Sequence, residues 1–287
     1  MKLDIKDFKA EIPKSIGEIV SVKSSIEENE VKSWEWIFLG IILPIIGWLT
    51  LLALGMANIP MLYIFLLIFP ISGWLFYLVK SSRKNYCFYV GQNGFAVFRI
   101  LKEKKEFVLE QECLFDNLTD LIFSQTRNYI NGQKTGTNYW FDFFTNEKKI
   151  YSVKGSYGED ENGIPIRKKV YKISALLDIE NCWTSYKLPK IIDEIDKNGF
   201  VRFKTVNKVI ELALDYIKVN EVIIKKEEIR SLSISEGLFI IETNRTTKGF
   251  LKGYYRLTFD INQIANQKCF IALCNEIFEN LFQSTNA

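Results

Sequence analysis

Hydrophobic and polar positions follow three rhythms along this chain of 287 residues. Residues 1–35 mix Lys and Glu with a weak helical period, Ile12, Ile16, Ile19 and Val20 falling on one face and Pro13 near its start. They read as a cytosolic N-terminal arm. From Trp36 to Val79 there is no Lys, Arg, Asp or Glu, and Ala57-Asn58-Ile59-Pro60 stands in the middle. Residues 36–57 and 60–79 are each long enough, at ~1.5 Å per helical residue, to cross a hydrocarbon core of ~30 Å. The stretch predicts a transmembrane helical hairpin. Trp34 and Trp36 at one end, and Trp74 and Tyr77 at the matching end, are the expected membrane-interface residues. Lys32, Lys80, Arg83 and Lys84 flank the hairpin while its turn is uncharged, so both termini are expected in the cytoplasm. With no ionisable group in the span, the hairpin reads as an anchor rather than a transporter.

From Tyr86 the rhythm shortens to two. Strands are predicted at Tyr86–Val90, Phe95–Leu101, Phe107–Leu109, Leu118–Tyr129, Tyr139–Thr145 and Lys149–Lys154. From Val170 to Lys197 it lengthens to a helical period, with Pro189 as a candidate break and Asn198-Gly199 as a stop. The same order then repeats. Strands are predicted at Phe200–Thr205, Val209–Leu212, Tyr216–Val219, Val222–Lys225, Ile229–Ser235, Leu238–Thr243 and Tyr254–Asp260, followed by a helix over 265–282. Each half reads as antiparallel strands closed by one helix, an α+β arrangement.

Composition narrows the chemistry. The net charge of +3 and pI near 8.4 are too mild to suggest nucleic acid. The absence of His removes the commonest general base and metal ligand. Cys87, Cys113, Cys182, Cys269 and Cys274 are scattered without a CxxC, so neither a zinc site nor a disulfide framework is expected. No phosphate-binding loop, nucleophile elbow or dinucleotide fingerprint occurs. No catalytic, metal or cofactor-binding residue is assigned, and no cofactor is expected. The mixed Lys and Glu of the first residues do not make a signal peptide. Among the basic runs, Arg245, Lys248, Lys252 and Arg256 stand out because no acidic residue falls between them, making them candidate headgroup-binding residues.

The segments YCFYVGQNGFAVFRI, NLTDLIFSQTRNYINGQKTGTNYWFDF and YRLTFDINQIANQKCFIAL, following a two-helix anchor, resemble a family of bacterial membrane proteins with pleckstrin-homology-like (PH-like) soluble domains. The resemblance implies a fold class of membrane α-helical hairpin followed by two PH-like α+β domains, at 84–197 and 198–287. It implies an integral protein of the bacterial inner membrane. The function then expected is a non-enzymatic scaffold at the cytoplasmic face, touching membrane lipids through the hairpin and a protein partner through sheet edges and the aromatic strand Tyr139–Phe144. The alternative is an anionic lipid-headgroup sensor using the late basic cluster. Fold alone does not choose the ligand.

Overall fold

In the computed structural model, the described residues are 11–25, 85–101, 106–130, 133–159, 165–166, 170–205, 207–246, 254–279 and 281–283, with Lys104 and isolated positions between 42 and 71. Strands form where β-branched and aromatic residues alternate, because such side chains pack well on a pleated surface. One sheet has the order β1-β2-β3-β4, from β1 (Ile19–Ser24), β2 (Asn85–Gly91), β3 (Gly94–Leu101) and β4 (Glu106–Leu114). A second has the order β5-β6-β7-β8, from β5 (Asp120–Ile130), β6 (Gln133–Thr145), β7 (Lys148–Glu159) and β8 (Pro165–Ile166). Helix α1 (Val170–Asn198) follows. The third sheet is an antiparallel meander of β9 (Phe200–Lys204), β10 (Val209–Ala213), β11 (Tyr216–Val219) and β12 (Val222–Lys225). The fourth pairs β13 (Ile229–Ser235), β14 (Leu238–Thr246) and β15 (Tyr254–Asp260) antiparallel. After helix α2 (Gln267–Ile277), the short β16 (Phe282–Gln283) lies parallel to β13.

The chain divides into two compact units, residues 1–11, 24–87 and 97–110 in the first and residues 12–23, 88–96 and 111–287 in the second. In the first, Ser25 N–H donates to Tyr86 O at 3.0 Å and Ser25 Oγ accepts from Tyr86 N at 2.9 Å. Arg99 pairs with Glu110 at 3.3 Å. In the second, Asn93 donates its N–H to Ile16 O at 2.9 Å, and its carbonyl accepts from Phe115 N at 2.8 Å. Gly91 and Gly94 admit this crossing: a Cβ on either would strike the backbone of Ile16 or Cys113. Phe203, Phe239 and Phe259 surround Phe270 of α2 with ring centroids at 5.2, 5.0 and 6.2 Å. Ile191 and Ile195 at the end of α1 belong to the same core as β9–β15 and α2.

This architecture corrects the expected fold class. The first strand run splits between two sheets, and its helix delivers Ile191 and Ile195 to the core of the strands that follow it. Among the described residues, four four-stranded sheets and two α-helices replace two strand runs each closed by its own helix, so the hairpin-plus-two-PH-like fold does not hold. The integral-membrane reading and the placement in a bacterial inner membrane with both termini cytoplasmic are corrected too. No helix among the described residues is long and apolar enough to cross a membrane. Helix α2 has only 11 residues, and α1, with 29, carries charges along its length from Lys172 to Lys197. The expected hairpin 36–79 lies outside the described residues, apart from isolated positions.

Three local expectations also change. Ile19 and Val20 belong to a strand rather than a helical arm, because β1 gains a ladder partner in β2. Helix α1 runs through Pro189 without a break, held on either side by buried Trp183 and Ile191. The last helix ends at Ile277 rather than near Phe282, which pairs as a strand instead.

Candidate functional site

Among the described residues, strand β5 forms one edge of its sheet, with β6 as its single strand neighbour. In an antiparallel pair the N–H and C=O of alternate residues point to the partner or away from it. Leu121 shows which set points away: its N–H donates to Asn266 Oδ1 at 3.0 Å and its carbonyl accepts from Asn266 N at 2.7 Å. Asn266 thus stands in for one residue of a neighbouring strand. By the same alternation, Gln125 and Arg127 present their backbone groups on this edge, with no residue of the described chain paired to them.

Asn266 anchors the covered part of this edge, which the 3-10 turn Ile261–Gln263 ahead of it also flanks. Asn266 is 8% exposed and adopts a left-handed conformation (φ 58°, ψ 42°) just ahead of α2. Its Oδ1 also accepts from Trp183 Nε1 of α1 at 2.9 Å, and its Nδ2 donates to Asp120 Oδ1 at 2.9 Å. One buried amide therefore joins β5, α1 and α2. Beyond it opens a groove of about 740 Å³, lined on one side by Gln125, Arg127 and Tyr129 and on the other by the β13–β14 turn at Glu236-Gly237. Residues 125–129 of β5 are all exposed, so this part of the strand projects past the core. Tyr129 is 58% exposed. Gln267 lines the groove, and its Oε1 is shielded from solvent with no hydrogen-bond partner among the described residues. Asp260 on the far wall is already engaged, accepting from Asn262 N at 2.9 Å and Gln263 Nε2 at 3.0 Å. The groove therefore offers backbone donors and acceptors, an unsatisfied amide oxygen, one guanidinium and a phenol.

The aromatic strand expected as a contact surface lies elsewhere. Tyr139, Phe141 and Phe143 are buried in β6, a central strand, and the Tyr139 ring lies across Gly155 of β7. Of the four basic candidates, Arg245 and Arg256 are described. Arg245 is committed to Glu228, with Nη2 to Oε2 at 2.6 Å and Nε to Oε1 at 2.9 Å, and also donates to Ile223 O at 2.8 Å. That fork of charged hydrogen bonds holds the Glu228 carboxyl down at about 2. Arg256 is exposed on β15 opposite Glu242. Lys248 and Lys252 lie outside the described residues, as do Trp34, Trp36, Trp74 and Tyr77.

Other titratable groups are structural in their settings. Burial pushes the Cys113 thiol up to about 11 and Cys269 to about 12, and raises Cys274 well above its ordinary value, so these are poor nucleophiles. Glu180 is buried against Lys268 at 3.0 Å, and desolvation raises its pKa. No cluster of metal-ligating side chains occurs among the described residues. Sequence reasoning missed the Asn266 hub, whose only local signal is an Asn one residue ahead of a helix. Comparison with models of known protein families and with curated proteins finds no match.

Proposed function

We propose that this protein is a non-enzymatic binding scaffold whose interaction site is the free edge of β5, and that it takes an extended peptide of a partner protein by strand addition. The observation that carries this reading is the outward backbone of Gln125 and Arg127 beside a groove of about 740 Å³. An exposed strand edge is a template for another strand, and natural proteins usually blunt it. This edge carries no proline and one charge, Arg127, between Phe123 and Tyr129. Main-chain bonds to Gln125 and Arg127 would supply affinity. Side chains alternating along the incoming strand would meet Arg127 and Tyr129 on one face of the ladder.

Two substitutions at one position test it. Gln125→Pro deletes an N–H that points away from β6, so the existing ladder survives, as edge prolines allow. Gln125→Ala deletes only the side chain. Random peptides of about ten residues, enough to cover a strand, are selected by display against the full chain. Selected peptides should lose about tenfold or more in affinity to the Pro variant, the equivalent of one to two hydrogen bonds. They should keep their affinity for the Ala variant. Equal binding to the folded Pro variant, or failure to select any peptide, would overturn the reading.

A further inference from the structure

An apolar trough of about 350 Å³ lies where the C-terminal ends of α1 and α2 meet the turn between β10 and β11. Ile192 and Ile195 of α1 and Leu273 and Ile277 of α2 line it, with Leu214 at its lip. Leu214 is 61% exposed in the turn at Leu214-Asp215. Neither the turn nor the core requires a leucine there.

The surrounding charge leans acidic, although Lys226 also lines the trough and Lys197 lies in the last turn of α1. Asp196 and Glu276 line the trough, and Asp193, Asp215 and Glu279 are exposed near it in sequence. Carboxylates at helix C-termini add to the partial negative charge of the unsatisfied carbonyls, and the last turn of α2 has no basic residue. Lys226 shows what this end attracts: its ammonium donates to Ile277 O at 2.6 Å. Asp196 and Glu276 have no ion-pair partner among the described residues.

We propose that this trough is a second docking surface, and that its occupant is a basic amphipathic segment of a partner protein. An apolar side chain seats beside Leu214, and flanking Lys or Arg groups meet Asp196 and Glu276. The inference stands on its own residues and does not rest on the β5 edge.

The test is fluorescence anisotropy of the full chain with a labelled peptide carrying Leu and Lys at helical spacing, against a scrambled peptide of the same composition. Saturable binding of the patterned peptide is expected, weakened about tenfold by Leu214→Ser and lost on Asp196→Lys with Glu276→Lys. All three side chains are exposed, so the variants should fold as the parent does, which circular dichroism checks. Equal binding of the scrambled peptide, or binding indifferent to Leu214→Ser, overturns the proposal. If sedimentation instead finds a dimer that Leu214→Ser dissociates, the occupant is a second copy of this chain and the proposal fails.

Discussion

Replacing Asn266 by Ala should be among the most costly single changes to an amide in this chain. The side chain satisfies two donors that have no other acceptor among the described residues, Leu121 N at 3.0 Å and Trp183 Nε1 at 2.9 Å. Both sit among buried groups: Leu121 is 2% and Trp183 1% exposed. Leaving a buried donor unmade costs roughly 1–3 kcal/mol each. Alanine tolerates the left-handed backbone less well than Asn, at a further penalty of up to about 1–2 kcal/mol. The expected loss is about 2–8 kcal/mol, a large part of the roughly 5–15 kcal/mol typical of a folded domain. Urea unfolding followed by tryptophan fluorescence should show the midpoint falling by about 1–2 M for a slope of a few kcal/mol per molar. Two companions separate the causes. Asn266→Gly removes the backbone penalty and should recover about 1 kcal/mol relative to Ala. Asn266→Asp keeps the acceptor but places a second carboxylate where Nδ2 meets Asp120 at 2.9 Å, so its cost should grow as pH rises through the carboxylate range. An Ala variant within about 1 kcal/mol of the parent would refute the hub, because a single unmade buried bond already costs that much.

Further outcomes follow from the same geometry. Phe270→Ala removes a ring packed among Phe203, Phe239 and Phe259 and should cost about 3–5 kcal/mol, read from chemical denaturation. Glu228 has its pKa lowered to about 2 from 4.5, so stability from its pair with Arg245 is present above 4.5 and lost as pH falls towards 2; Arg245→Ala should flatten that acid limb. Glu180 has the opposite sign. Its pKa is raised by burial, so its contribution is fullest below 4.5 and declines as pH rises through the folded value, and Glu180→Gln should remove that decline in a pH series of melting curves.

Local pattern made the later strands legible. From β9 to β15, period-two alternation and the turn residue Gly237 place each strand within a few residues of its observed ends. Strand β1 was opaque because Ile16, Ile19 and Val20 also satisfy a helical spacing, and only its pairing beside β2 decides between the two. The β6–β7 turn is Asn146-Glu147, both residues at positive φ, without the glycine that usually signals it. The site was hidden for a different reason. Whether β5 is an edge or a central strand depends on the order in which four strands pair, which no window of sequence carries. The basic cluster shows the converse: Arg245 looks unopposed along its own loop, yet Glu228, earlier in the chain, holds it by two bonds.

The measurement that bears most directly on the account is residue-resolved backbone amide exchange along β5 in the full chain, alone and with a selected peptide. In the free chain Ser124 and Thr126, which face β6, should be protected, while Gln125 and Arg127 exchange rapidly. Bound peptide should slow Gln125 and Arg127 and leave their neighbours little changed. Protection of all four amides in the free chain would mean that the edge is already covered. Peptide binding without protection of Gln125 and Arg127 would contradict strand addition.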